Sequence, residues 1–144
     1  MVGKTALNKE MKHLNGAYFR TIIVTNKIIK MEELEKLLIE EIEAKIETTF
    51  LYQFHEKNFF DRKKFQLLIV NVNKMANYYI SNGRTENYKK IAAGIIDRFE
   101  YILCCFYCHL APNDLYSIIN YNDIKDEISD YCYKMREVAG KLIL

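Results

Sequence analysis

A chain with one proline, Pro112, and five glycines among its 144 residues has few places to turn. Proline cannot continue a helix or a sheet ladder and glycine loosens both, so their scarcity leaves long uninterrupted elements. What fills the runs between them sets the element type. Apolar residues return every three or four positions, with Lys and Glu frequent in the gaps, which is the period of an amphipathic helix. Half of the residues are apolar and 28% are charged, enough for a packed core without disulfides or metal. The sequence therefore predicts an all-α protein, a single-domain bundle of five or six helices, mostly antiparallel, spanning residues 1–144.

Each helix is read from its stripe. Leu7, Met11, Leu14, Tyr18, Ile22, Thr25 and Ile29 share one face of a first helix over 5–30, in which the β-branched run Thr21–Thr25 is kept helical. A second helix covers 31–56 through Leu34, Leu37, Leu38, Ile42, Ile46, Phe50 and Phe54, with its glutamates on a solvated face and His55 to Phe60 as the connection. Asp61 is the expected N-cap of a third helix reaching Ile80, with Phe65, Leu68, Val72, Met75 and Tyr79 inward; Ser81-Asn82-Gly83 ends it. Thr85 is the expected cap of a fourth helix through Leu110, stopped by Pro112, with Tyr88, Ile91, Ile95, Phe99, Ile102 and Phe106 inward. A short helix follows through Leu115, Ile118 and Ile119, and a last one opens at Asn122 or Asp123 and loosens at Gly140.

The stretch Glu100 to His109, EYILCCFYCH, holds three of the four cysteines. Cys105 and Cys108 form a CxxC followed by His109, and Cys132 would complete a Cys3His set of the kind zinc accepts. Zinc CxxC pairs sit on tight turns among small or polar residues, whereas these lie among Ile102, Leu103, Phe106 and Tyr107 inside a helical pattern. Reduced cysteine is a small, readily buried hydrophobe, so core packing is the expected role and no metal or cofactor is assigned. His13, in an HLNG that faintly echoes phosphotransfer bundles, reads as a surface histidine. No GxSxG, HExxH or phosphate-loop pattern occurs, so no catalytic residue is assigned and the chain is read as a non-enzyme.

Charge is spread unevenly although the net is only +2: residues 1–30 carry +5, 31–56 carry −6, 57–98 carry +6 and 99–144 carry −3. Alternating sign suits helices that attract their neighbours. The basic segment also raises a nucleic-acid reading, in which Lys57, Arg62, Lys63, Lys64, Lys74, Arg84, Lys89 and Lys90 contact phosphates while nearby aromatics stack on unpaired bases. Eleven tyrosines exceed what one small core needs, and Tyr78, Tyr116, Tyr121 and Tyr133 are the candidates for a protein interface, where a polar tip on a broad ring is favoured. No apolar run is long enough to span a membrane and no leader is seen, so a cytoplasmic, membrane-free protein is expected.

Three fragments, Val72-Asn73-Lys74-Met75, Glu100-Tyr101-Ile102 leading to Phe106-Tyr107, and Asp130-Tyr131-Cys132, resemble small all-helical subunits of type III CRISPR effector complexes. His109-Leu110-Ala111 stands where those have Gly-Arg. The resemblance implies contact with RNA in a ribonucleoprotein. From the residues themselves the first expectation is a protein-binding module, an adaptor, inhibitor or assembly subunit with an aromatic and charged surface. Another protein is the expected partner, RNA or single-stranded DNA the alternative, and a homo-oligomer is allowed.

Overall fold

In the computed structural model, which describes residues 30–144, every regular element among the described residues is helical. The expectations placed on 5–29, including the Thr21–Thr25 run and His13, lie outside the described residues. Residues Leu34–Leu144 form one compact unit. The described elements are α1 (residues 30–43, of which 34–43 lie in this unit), α2 (Phe50–Lys57), α3 (Arg62–Asn82), α4 (Tyr88–Leu110), α5 (Tyr121–Ile124) with a 3-10 turn at Lys125–Glu127, and α6 (Ile128–Ile143).

Direction along the bundle follows from contacts at its two ends. Glu35 accepts from Asn87 and the carbonyl of Ile42 accepts from Arg98, so α1 and α4 run the same way. Tyr79 and Tyr88 meet edge-on at 5.1 Å, while Phe60, which touches Phe65 at the start of α3, also touches Phe106 near the end of α4. Helices α3 and α4 are therefore antiparallel. Arg62 pairs with Glu127 and Lys141 donates to Asn73, so α6 runs alongside α3 in the same sense. The four long helices alternate in direction in chain order, while α1 with α4 and α3 with α6 pack as parallel pairs.

Helix α3 keeps closest to expectation. The Asp61 carboxylate accepts from the Lys63 and Lys64 amides, which have no partner inside the helix, and Gly83 at φ +88° takes the chain out of it. The inward residues read for α3 and α4 are buried, Tyr88 aside, which is half-buried.

Two expectations are corrected. The single helix over 31–56 is two, because the chain turns through Ala44 at φ +49° and restarts at Thr49, whose hydroxyl accepts from the Tyr52 amide. The Glu41 carboxylate reaches across the break and accepts from the Phe50 and Leu51 amides. The free end of α2 is thus capped by a side chain of α1, and the positive end of the helix favours that charge. The helix expected through Leu115, Ile118 and Ile119 is a non-helical connection. Its amides form no helical ladder: Tyr116 bonds to the Asp114 carboxylate, Ile118 to Nδ1 of His109 on α4, and Ile119 to the Asn58 carbonyl. Gly140, expected to loosen the last helix, sits inside α6.

The core is aromatic where α2, α3, α4 and α6 converge. Phe60, 1% exposed, lies between Phe50 (5.1 Å between ring centres), Phe65 (5.0 Å), Phe106 (5.7 Å) and Tyr131 (4.8 Å). Edge-to-face and offset pairs of this kind add about 0.5–1.5 kcal/mol each to the burial itself. Phe60 belongs to no helix, so its backbone needs partners elsewhere. The Asn120 side chain supplies both, accepting from Phe60 N and donating to Phe60 O, each at 2.9 Å.

Candidate functional site

The basic set splits when its partners are traced. Arg62 pairs with Glu127 at 3.0 Å and donates to the Asp123 carbonyl; Lys90 meets Glu43 at 3.3 Å. Lys64 lies near Glu41, whose carboxyl is raised by burial, with the two capping amides and Lys64 acting in the opposite sense. Arg84 lies over the Tyr88 ring at 4.3 Å. These cations answer groups of their own bundle. Lys57, Lys63, Lys74 and Lys89 are exposed and form no ion pair among the described residues.

Two of the four unpaired lysines share a face. Lys63, Leu67, Val70 and Lys74 follow one another at helical spacing along the side of α3 opposite Phe65 and Val72, with Leu67 58% exposed. From Arg62 to Asn82 the helix contains no Asp or Glu. A cleft of about 480 Å³ at its start gathers Phe59, Arg62 and Lys63, but Asp61 and Asp123 line it too and balance its charge. A phosphate gains nothing there. The acid-free outer face of α3 is the more distinctive feature.

Of the four tyrosines read as interface candidates, Tyr133 on α6 is 67% exposed. Tyr78 is half-buried edge-on to Tyr79, and Tyr121 is half-buried with its ring 3.9 Å from His109. The Tyr116 hydroxyl is sealed from solvent against the Cys105 thiol and meets no oxygen or nitrogen partner. Missing from that reading was an exposed row on α4: Leu103, Tyr107 and Leu110, with Tyr107 74% exposed. Their i, i+4, i+7 spacing lies off the inward face of Ile102 and Phe106, so the signal was present in the sequence. Glu100 is exposed one turn before this row. The row and α3's basic face are carried on antiparallel helices.

The cysteine stretch divides the same way. Burial pushes the Cys105 thiol up, beside Tyr101 and Tyr116, while Cys104 is exposed and Cys108 half-buried. Only Cys105 thus has the buried place that the sequence led us to expect for all three. The Cys108 thiol is raised chiefly by its hydrogen bond to Asp114, and His109 Nδ1 is occupied by the Ile118 amide. Among the described residues no group of three or more His, Cys, Asp or Glu is placed to hold a metal ion.

Among the described residues Glu35 and Thr49 are the buried polar side chains, and Glu35 alone is charged. Glu35, 5% exposed, accepts from Tyr79 Oη at 3.0 Å, Asn87 Nδ2 at 2.8 Å and the Thr85 hydroxyl. Burial, with the carboxylate adding to it, pushes the Tyr79 hydroxyl up to about 12. This replaces the capping role expected of Thr85: α4 starts after Asn87, and both side chains are turned toward Glu35. Glu35 and Glu41 thus depart from the solvated face read for the α1 glutamates. All three donors to Glu35 are neutral and converge on one carboxylate, an arrangement that ties α1 to the turn between α3 and α4.

No protein-family model, curated protein or solved structure matches the chain. No helix among the described residues is long and apolar enough to cross a membrane.

Proposed function

We propose that the chain is a non-enzymatic protein-binding module whose contact surface is the outer side of α4. The observation that carries this reading is the exposed row Leu103, Tyr107 and Leu110, three large apolar side chains on one helical face. Scattered exposed leucines are ordinary, but a contiguous row with an aromatic at its centre has the composition of an interface core. Glu100 supplies a charged rim at one end. Helix-face recognition follows, with Tyr107 as the anchor. Quantitative capture from native lysate with parent and Tyr107→Lys baits tests it. At least one protein should be recovered tenfold less by the variant while its circular dichroism is unchanged; equal recovery of every captured protein overturns the reading.

A second reading, contact with a phosphate backbone, is supported by the acid-free α3 and its unpaired lysines. Even if all four unpaired lysines contacted a single strand, the salt dependence would reach a slope of only about −2.8, the mark of a weak, nonspecific binder. Leu67 between Lys63 and Lys74 also suits an apolar contact better than a phosphate one. Binding of single-stranded RNA that persists at physiological salt would reverse this order.

A further inference from the structure

Resting on the protein-binding reading, we infer that the partner of the α4 row is the α3 face of a second copy of this chain, so that copies associate head to tail. The two faces complement each other in charge and in spacing. On α3, Lys74 follows Leu67 by seven residues; on α4, Glu100 precedes Tyr107 by seven. Two turns of helix separate each pair, about 10 Å. Laid antiparallel, α3 of one copy and α4 of the next set Lys74 against Glu100 and Leu67 against Tyr107, with Val70 facing Leu103. Asp97, exposed one turn before Glu100, adds to the charge that Lys74 meets. Lys89 falls past Asn82, beyond the end of the partner helix, near Arg84, which lies over the Tyr88 ring of its own copy. Lys63 and Lys74 form no ion pair among the described residues, so neither has a bond of its own to break on docking.

The two faces are different surfaces, so the contact is heterologous. One copy joined through α3 still offers its α4 row, and growth continues unless the rotation closes a ring. A pair of helix faces about four turns long buries on the order of 1,000 Å² in total, the lower end for a specific contact. Association is accordingly weak and concentration-dependent.

Sedimentation velocity between about 10 μM and 1 mM protein, a range set by so small an interface, provides the test. The parent should gain average mass steadily with concentration and show no plateau at the dimer. Lys63→Glu/Lys74→Glu blocks the α3 face and Glu100→Lys/Tyr107→Lys blocks the α4 row; each variant alone should associate at least tenfold more weakly. Mixed in equal amounts they should form a one-to-one dimer that grows no further, since each retains the face the other lacks. Circular dichroism of both variants guards against misfolding, and the mixed sample makes the result independent of it. A parent that stays monomeric throughout overturns the inference, as do variants that associate like the parent. In either case the lysate result for Tyr107→Lys still decides the protein-binding reading. Loss of single-stranded RNA binding in the α3 variant, with a monomeric parent, would assign that face to nucleic acid instead.

Discussion

Replacing Asn120 with alanine removes both hydrogen bonds that hold the Phe60 backbone, each 2.9 Å long. A net hydrogen bond contributes roughly 0.5–1.5 kcal/mol, and a buried group left without a partner loses more. With Phe60 itself 1% exposed, water cannot readily replace the amide. The expected loss is therefore about 2–4 kcal/mol, or roughly 8–16 °C in Tm for a domain of this size. Asn120→Asp separates the two bonds: it keeps an acceptor for Phe60 N but sets a carboxylate against Phe60 O, and should cost nearly as much. Asn122→Ala, on an exposed neighbour, is the control and should stay within about 0.5 kcal/mol. Urea unfolding followed by circular dichroism measures all three. If Asn120→Ala matches the control, the clamp contributes nothing and the account of how a loop residue is held at the core centre is wrong.

Gly94 marks a close approach of α1 to α4, where an added Cβ would lie 2.6 Å from Ile42 Cγ2. Glycine inside a helix costs about 1 kcal/mol relative to alanine, and overpacking costs about 1–3 kcal/mol, so Gly94→Ala should destabilise the parent yet stabilise an Ile42→Ala background. Urea midpoints of the four proteins check that reversal of sign; the same effect in both backgrounds would remove the steric explanation. For the thiols, alkylation of the native protein followed by mass spectrometry should modify Cys104 first, Cys108 more slowly and Cys105 last, following exposure and burial. Asp114→Asn takes away the carboxylate that holds the Cys108 thiol protonated, lowers that thiol toward its ordinary value, and should speed its alkylation at fixed pH; an unchanged rate would show the Asp114 contact to be inconsequential.

Where side-chain pattern alone decides structure, the sequence was readable. Phe65, Leu68, Val72, Met75 and Tyr79 recur at helical spacing and Asp61 stands where a cap belongs, so α3 was legible almost to the residue. The break after Ala44 was not, because Ile42, Ile46, Phe50 and Phe54 keep four-residue spacing straight through it; Thr48-Thr49 before Phe50 was the available sign. The connection after Pro112 looked helical because Leu115, Ile118 and Ile119 have helical spacing. What overrides it is a set of bonds to Asp114, His109 and Asn58, two of them outside the segment. Glu35 was invisible for a different reason: burial of a carboxylate depends on three donors, two of which come from a turn some fifty residues away. The α4 row was legible from spacing, yet tyrosine count drew attention to isolated rings instead.

Phe60 and Asn120 are sixty positions apart in the chain. Joining them closes a long loop, which costs entropy before any packing repays it, whereas Tyr79 and Tyr88 meet across the short turn between α3 and α4. The local Phe50, Phe60 and Phe65 contacts and the α3–α4 turn should form first, with Asn120 and α6 drawn in afterwards. A core whose middle residue comes from a connector thus depends for its backbone bonds on a residue from the far half of the chain.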